Sequence, residues 1–295
     1  MVQFSLPQLD GECVYHYTSN NALLGILQKG KIVLWLTHAD YLNDTTEGSA
    51  IFERVKAACK NLFEQKKLNK ELYQRILDIV PEDARDYPTL YRGKDDGVYH
   101  SEHKKCDVYT MSFSADSDSL PMWNYYAGNG YCLHFNKNYL EDFFPTQFEC
   151  CCLIRPINYS PNVTKNLERE FCELVTNENV KDPIQRIKDS LAIERYFYKD
   201  SAFAYENEYR LLLAVPRESK QPFEIKFREK AGYIIPYIEV ELTDRQQTFS
   251  MIKGVTIGPL ANRELATKSI KLLLENRDYE FAAQNIQNST IPVRY

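Results

Sequence analysis

Two glutamates and an arginine alternate late in the chain, at Glu206, Glu208 and Arg210. On a strand, a spacing of two places all three side chains on one face, beside the apolar run at residues 211–213. A carboxylate there can bind ribose hydroxyls and stabilise a developing sugar cation, while the arginine keeps the second acid ionised. The same pattern is typical of an exposed ion-pair ladder on an edge strand. The three residues therefore indicate either a sugar-binding site or a surface ladder.

A histidine near the start of the chain lies between two tyrosines, in the order Tyr15, His16, Tyr17, and Thr18 and Ser19 follow. If the tyrosines share one face of a strand, His16 faces the other side and lies close to the N-terminus of the following helix. There its ring can donate to a ribose hydroxyl or a phosphate. The alternative is a structural histidine that bonds a nearby carbonyl, and the tripeptide alone favours this second role.

Hydroxyl groups and aromatic rings are concentrated in the middle of the chain. Ser112 and Ser114 lie at the end of a predicted strand, and Trp123, Tyr125 and Tyr126 follow on a short predicted helix. Hydroxyls and rings arranged in this way can line a cleft in which a planar ring stacks. Each residue taken alone is more typical of core packing, so only the combination indicates a ligand.

Other kinds of site have weaker support. His100, His103 and Cys106 are metal-ligand types at close spacing, but zinc needs three or four convergent ligands and no second closely spaced pair is present. Cys132 and His134 share a strand face and could form a thiol and base, although a buried thiol beside an unrelated histidine is commoner. The chain has no G-x-G-x-x-G or P-loop motif. We expect no bound metal.

The composition is that of a globular protein. The 295 residues are 44% hydrophobic and 26% charged, which favours one domain with inserted helices over two independent domains. With 36 basic and 41 acidic residues the net charge is −5, so no overall positive field attracts nucleic acid or an anionic membrane. Because no apolar run could cross a bilayer and the first residues do not resemble a secretory signal, we expect a cytoplasmic protein with reduced cysteines.

An α+β fold must position these candidate residues. An apolar stripe over residues 45–67 and a weaker one over 69–80 predict a helical insertion, and residues 162–200 are mostly helical. Residues 81–105 show no sustained period and predict a long loop or mobile flap. Other helices are expected at 19–30, 120–127 and 262–274. Strands are expected at 13–17, 32–36, 107–113, 131–135, 150–159, 208–215, 222–227, 233–240 and 255–257, in a mixed or antiparallel sheet.

Several segments, in this order, resemble an uncharacterised and mostly bacterial family called domain of unknown function 2971 (DUF2971). The resemblance spans nearly the whole chain, and the combination of motifs is specific although each motif is short. The segments that carry it are Tyr15–Ser19, Leu36–Asp44, Met111–Ser114 with Asp118, Ser119 and Trp123, Tyr205–Arg210, Ile257–Pro259 and Ile291–Tyr295. The family alone implies no activity.

The order of the candidate residues also resembles, more distantly, the signature of the ADP-ribosyltransferase superfamily. That signature has a histidine on a first strand, a serine or aromatic residue on a middle strand and a glutamate on a late strand. The resemblance implies one α+β domain over residues 1–295, with mixed or antiparallel sheets of the ADP-ribosyltransferase type and helical insertions at about 45–80 and 162–200. It also implies that NAD is the substrate.

The same resemblance implies roles for individual residues. His16 would hold a ribose of NAD, and Glu208 would bond the ribose 2′-hydroxyl as nicotinamide leaves. The nicotinamide pocket would be shaped by Ser112 with Ser114 or Trp123. Further contacts to the nucleotide are expected from three other residues: Tyr17, Thr18 and Arg210. For the NAD phosphates, the donors we expect are Arg210, Lys31 and the N-terminus of the helix after Ser19.

The sequence leads to two main functional hypotheses. The first is an NAD-consuming ADP-ribosyltransferase or NAD glycohydrolase in toxin or phage-defence biology, acting on a protein or nucleic-acid target or on water, with Glu208 and Glu206 catalytic and no membrane partner. The alternative is a non-catalytic module on the same fold that binds a nucleotide, a nucleic acid or a protein. A purely structural role, in contrast, predicts a cleft filled by side chains.

Overall fold

The computed structural model describes residues 12–42, 48–84, 87, 89–92, 99–102, 106–128, 130–141, 151–217, 223–230, 232–243, 251–259 and 262–292. The strands are β1 (Cys13–Thr18), β2 (Leu27–Gln28), β3 (Lys31–His38), β4 (Thr89–Arg92), β5 (Tyr99–Glu102), β6 (Cys106–Ser114), β7 (Tyr131–Asn136), β8 (Cys151–Pro156), β9 (Glu208–Pro216), β10 (Ile225–Lys230), β11 (Tyr233–Leu242), β12 (Ile252–Ile257) and β13 (Ile286–Asn288). The helices are α1 (Asn20–Ile26), α2 (Ala50–Glu64), α3 (Lys70–Asp78), α4 (Leu120–Met122), α5 (Val163–Thr176), α6 (Pro183–Glu194), α7 (Arg263–Asn276) and α8 (Glu280–Gln284). A π-helical turn over Trp123–Ala127 extends α4, and 3₁₀ turns cover Ala39–Tyr41 and Ser201–Glu206.

Strand β6 is the point at which the sheet divides. Strand β9 pairs with β6 along its whole length and so occupies one edge of it. On the other edge, β3 pairs with Tyr109 and Thr110 while β1 pairs with Ser114. Within the described residues, no strand pairs with this edge at residues 111–113. The sheet is therefore forked, and the gap between its two arms lies beside residues 111–113, in the C-terminal half of β6.

Each arm of the fork is a short run of mostly antiparallel strands. One arm continues from β1 through β7 and β12 to β13, and the other continues from β3 through β11 to β10. Pairing is antiparallel in both arms except between β12 and β13. The predicted α+β fold with a mixed or antiparallel sheet is confirmed at this level.

The apolar runs of the sequence explain how the strands and the first helix form. In β3 the consecutive residues Ile32, Val33 and Leu34 are all buried, as predicted for a strand covered on both faces. Ser19 caps α1 by accepting a hydrogen bond from the backbone N–H of Ala22 at 3.3 Å. The main core packs the strands of both arms against α1, α7 and α8.

A second core lies among the helices α2, α3, α5 and α6 and confirms the two predicted helical segments. Buried residues from α2 and α5, including Val55, Leu62, Leu167 and Phe171, pack together in it. None of the described helices has the length and apolar character that crossing a bilayer requires.

Two parts of the prediction are wrong. Residues 81–105 are not one long loop, because β4 and β5 pair with each other as an antiparallel ladder; residues 85–86, 88, 93–98 and 103–105 lie outside the described residues. Two strands of four residues each are too short to produce a readable alternation. Helix α8 and strand β13 near the end of the chain were not predicted, and β13 pairs in parallel with β12.

We predict that the helical core is a real part of the cooperative fold. Leu167→Ala should lower the free energy of unfolding by about 2–5 kcal/mol, because Leu167 is buried among helices that leave a cavity when its side chain is removed. The control Leu272→Ala, at a position that is 68% exposed, should change it by less than about 0.5 kcal/mol. Urea unfolding curves measure both values, and equal effects would contradict the described packing.

Candidate functional site

An open cleft of about 180 Å³ lies at the fork of the sheet. Residues of both arms, of β6 and of the segment that precedes β9 line it. Six residues selected from the sequence contribute to the lining: His16, Tyr17, Ser112, Glu206, Glu208 and Arg210. The cleft is not filled by side chains, which a purely structural role would have predicted.

Hydrogen bonds connect the candidate residues of three strands. His16 on β1 donates through Nδ1–H to the carbonyl oxygen of Ser112 on β6, at 3.0 Å. The hydroxyl of Ser112 donates to Oε1 of Glu208 on β9, at 2.6 Å. Because the fork leaves the edge of β6 without a strand at Ser112, a side chain satisfies its carbonyl oxygen instead. These three distant segments of the chain therefore meet at the cleft.

The ring of His16 is neutral in this environment. Desolvation and the charge of Arg228 together lower the pKa of His16 to about 4, against the opposing effect of the hydrogen bond to the Ser112 carbonyl. With the proton on Nδ1, the lone pair on Nε2 makes this atom an acceptor. The prediction that His16 donates to a ligand is wrong for this arrangement, because the one N–H of the neutral ring is donated to the Ser112 carbonyl oxygen.

The carboxylate of Glu208 is buried and fully engaged. Arg210 binds it in a bidentate arrangement, with Nε at 2.6 Å from Oε1 and Nη2 at 2.9 Å from Oε2, and Lys199 Nζ lies 3.0 Å from Oε2. Burial raises the pKa of Glu208, but the charges of Arg210 and Lys199 and the hydrogen bonds from Arg210 and Ser112 outweigh it and lower the pKa to about 2. Glu208 is therefore ionised at neutral pH.

Glu206 does not lie on the same strand as Glu208, contrary to the prediction. It ends a 3₁₀ turn, and Asn207 then adopts a left-handed conformation with φ of 42° and ψ of 50°, so β9 begins only at Glu208. Asparagine tolerates this conformation better than most residues, which the alternating pattern does not reveal. Glu206 nevertheless approaches Glu208, since Lys199 Nζ lies 2.6 Å from its Oε2 while the Tyr126 hydroxyl donates to its Oε1 at 2.5 Å.

The alternative of an exposed ion-pair ladder is wrong. The relative exposures of Glu206, Glu208 and Arg210 are 4%, 3% and 1%, and β9 lies between β6 and β8 rather than at an edge. Two carboxylates and two cations, those of Lys199 and Arg210, form one buried cluster whose charges balance. Lys199 was not selected from the sequence, because only the fold brings it between the two acids.

Three predicted binding residues lie behind the wall of the cleft. Thr18, Ser114 and Trp123 are buried and do not line it. Ser114 donates to the carbonyl oxygen of Glu206 at 2.7 Å, and Trp123 packs edge-on against Tyr17 with ring centroids 4.7 Å apart. Their side chains therefore support the lining residues, and Trp123 cannot stack on a ligand in this arrangement.

Tyr17 and Arg210 line the cleft, but their polar groups have partners within the protein. The Tyr17 hydroxyl donates to the Asp116 carbonyl oxygen at 2.8 Å and accepts from the Ser119 backbone N–H at 2.9 Å. Arg210 Nη1 donates to the Tyr196 carbonyl oxygen at 2.7 Å in addition to its bonds to Glu208. Both residues therefore shape the cleft by holding neighbouring segments.

Arg228 on β10 is a lining residue that the sequence analysis did not select. Its Nη2 donates to the Thr37 hydroxyl at 2.7 Å, and its guanidinium lies over the rings of Trp35 and Tyr237 at 5.7 and 5.3 Å from their centroids. Desolvation lowers the pKa of Arg228. The role of a single arginine in an edge strand cannot be predicted from sequence, because it depends on the side chains that other strands place beside it.

The other candidate groups show no reactive arrangement. Within the described residues no group of three or more His, Cys, Asp and Glu side chains could hold a metal, and His103 lies outside them. Burial raises the pKa of the Cys132 thiol well above its usual value, and His134 Nε2 is 2.7 Å from the Thr256 hydroxyl. Cys132 is therefore a protonated core thiol rather than a nucleophile.

Comparison with protein families matches residues 122–211 to the family described as Protein of unknown function (DUF2971). The match confirms the predicted resemblance to this family, and the matched segment carries Tyr126, Lys199, Glu206, Glu208 and Arg210. No curated protein and no solved structure matches the chain. The likeness to ADP-ribosyltransferases stays a prediction.

We predict that Glu208 makes the protein acid-sensitive. Its pKa falls from an ordinary value of 4.5 to about 2 on folding, so its stabilising contribution is present above pH 4.5 and is lost as the pH falls towards 2. The difference in unfolding free energy between the wild type and Glu208→Gln should shrink by about 2 kcal/mol between pH 6 and pH 3. Denaturant unfolding at the two pH values measures it.

The control for this prediction is Glu264→Gln, because Glu264 is exposed and, among the residues that the structure describes, pairs with its helical neighbour Lys268 alone. Its difference from the wild type should be the same at both pH values. A difference for Glu208→Gln that is equally independent of pH would show that the buried cluster does not hold Glu208 ionised.

Proposed function

We propose that the cleft binds NAD or a related ribonucleotide and that the protein consumes NAD in ADP-ribosyl transfer or glycohydrolysis. The observation that carries the proposal is the hydrogen-bonded line from His16 through Ser112 to Glu208 along one open cleft. Three distant segments contribute to this line in the order that the resemblance to ADP-ribosyltransferases implies.

The polar groups of this line complement a ribose ring. Neighbouring ribose hydroxyls each donate one hydrogen bond and accept others. His16 offers an acceptor at Nε2, Ser112 offers an exposed hydroxyl, and Glu208 offers a carboxylate 2.6 Å from that hydroxyl. Each hydroxyl of a neighbouring pair can therefore find an acceptor among these groups, so that binding leaves no hydroxyl donor unpaired.

Aromatic side chains in the same cleft favour a ligand with a planar ring. Tyr15, Trp35 and Phe113 line the cleft together with Met122 and Ile26. Flat apolar surface of this kind binds a base or a nicotinamide ring by stacking or edge contacts. A ribose with a planar substituent therefore suits the lining better than a free sugar.

The proposed reaction breaks the bond between ribose C1′ and the nicotinamide nitrogen. The nitrogen keeps the electron pair, which neutralises its positive charge, and positive charge develops at the ribose ring. A water molecule or a group of a protein or nucleic-acid target then bonds to C1′ and releases its proton to solvent. An ionised Glu208 beside the ribose would stabilise the cationic ring more in the transition state than in the ground state.

A second candidate function is nucleotide binding without chemistry. It is favoured by the four donors that already engage the Glu208 carboxylate, from Arg210, Lys199 and Ser112. The positive charges of Arg210 and Lys199 reduce the field that the carboxylate exerts on a bound sugar. For the enzymatic function, the hydroxyl of Ser112 must leave Glu208 so that a ribose hydroxyl replaces it.

The experiment that separates these functions is incubation of the full chain with NAD. We expect free nicotinamide, detected by mass spectrometry, together with ADP-ribose or a labelled target. Glu208→Gln should lower the rate by about 100-fold or more, because it removes the negative charge beside the ribose. NAD-induced thermal stabilisation with no product would support the binding module instead. The absence of both stabilisation and product would refute the proposed function.

A second variant guards against misfolding of the buried cluster. Ser112→Ala removes one exposed hydroxyl and should weaken NAD binding by about tenfold, the value of one hydrogen bond to the ligand. The matched control is Ser269→Ala, since Ser269 on α7 bonds only its own helix at Ala266 and does not line the cleft. Isothermal titration measures both, and equal affinities for the two variants would contradict the assigned position of the ribose.

A further inference from the structure

The charges that line the cleft do not balance. The carboxylates of Glu206 and Glu208 are compensated by Lys199 and Arg210 within the buried cluster. Arg228 adds one further positive charge, and His16 is neutral beside it. Within the part of the chain that the structure describes, no carboxylate pairs with Arg228. The cleft therefore carries a net positive charge that is concentrated at the β10 side.

The environment of Arg228 differs from that of an ordinary paired arginine. A guanidinium has five N–H donors, and here one hydrogen bond is formed, to the hydroxyl of Thr37. The Nε atom is buried without a hydrogen-bond partner among the described groups. The rings of Trp35 and Tyr237 hold the guanidinium plane by cation–π contacts but accept no strong hydrogen bond. Arginine in this state has unused capacity to bind an oxyanion.

A second cation on β10, Lys226, is paired with an acid of the same hairpin. Lys226 lies two residues before Arg228 on β10, and its Nζ is 2.6 Å from Oε2 of Glu239 on β11. Glu239 therefore compensates Lys226, which does not line the cleft, while the arginine that does line it has no such partner. Of the two positive charges, the uncompensated one is therefore that of Arg228, which lines the cleft.

We infer that Arg228 binds the phosphate oxyanion of a nucleotide whose ribose lies against His16 and Ser112. This inference rests on the proposed function for the position of the ribose. It assigns phosphate binding to Arg228, whereas the donors expected from the sequence were Arg210, Lys31 and the N-terminus of the helix after Ser19. Lys31 pairs with Glu241 at 2.7 Å and does not line the cleft, and the guanidinium of Arg210 binds Glu208. Planar bidentate binding of phosphate by arginine suits the fixed, stacked guanidinium.

Tryptophan fluorescence can report binding at this position. The chain has two tryptophans, and only Trp35 lines the cleft, beneath Arg228, whereas Trp123 is fully buried behind its wall. The probes are ADP-ribose, adenosine and inorganic pyrophosphate, titrated into the wild type, Arg228→Gln and Arg228→Lys. Lys226→Gln is the matched control, since it removes a charge from the same strand outside the cleft.

Arg228→Gln should weaken ADP-ribose binding by about tenfold or more, the value of a charged hydrogen bond, and leave adenosine binding unchanged. Arg228→Lys should recover part of the loss, and Lys226→Gln should bind like the wild type. Equal weakening of ADP-ribose and adenosine, or no weakening of either, would overturn the inference while leaving the proposed function intact. If neither ADP-ribose nor adenosine binds the wild type but pyrophosphate binds it in an Arg228-dependent manner, the proposed function fails and the phosphate site stands. Absence of binding by all three probes would overturn both.

Discussion

A buried carboxylate at Glu208 is compatible with folding only while Arg210 and Lys199 remain on it. Moving one ion of this size out of water costs several kcal/mol even after relaxation, and the cost is recovered only through good geometry and additional hydrogen bonds. The bidentate contact with Arg210, the contact with Lys199 and the hydroxyl of Ser112 supply that geometry. Three parts of the chain, β6, β9 and the segment before β9, must therefore stay in register around one side chain.

The fork in the sheet makes the same region accessible to a ligand. A continuous sheet would pair the edge of β6 with a strand and close off Ser112. Because β3 pairs with β6 at Tyr109 and Thr110 and β1 pairs with it at Ser114, the backbone at Ser112 faces a gap between them, and the ring of His16 occupies part of this gap by bonding the free carbonyl. The fork thus joins a rigid ionic cluster to an open surface. A ligand can reach the outer side of the cluster without the cluster having to open.

The sequence predicted those features that local patterns determine. The apolar run of β3, the stripe of α2 and the cap at Ser19 follow from residues close together in the chain, and the structure confirms them. His16, Ser112 and Glu208 were selected together because their order along the chain resembles a known signature, and the strand pairings explain how they come close in space. The turn at Asn207 was missed because one left-handed residue ends a strand pattern without changing its composition. Lys199 and Arg228 were missed because their positions at the cleft depend on how the chain folds and have no local sequence pattern.

The helical layer is connected to the cleft by residues 196–199, which come shortly after the end of α6 at Glu194. Tyr196 presents its carbonyl oxygen to Arg210, and Lys199 reaches both glutamates. Between them, Phe197 packs against the sheet and Tyr198 packs into the helical core, where Arg54 of α2 donates to its hydroxyl at 3.1 Å. Successive side chains of one short segment thus anchor in two cores and deliver a cation to the cleft. The helical core therefore contributes to the site by helping to fix Lys199.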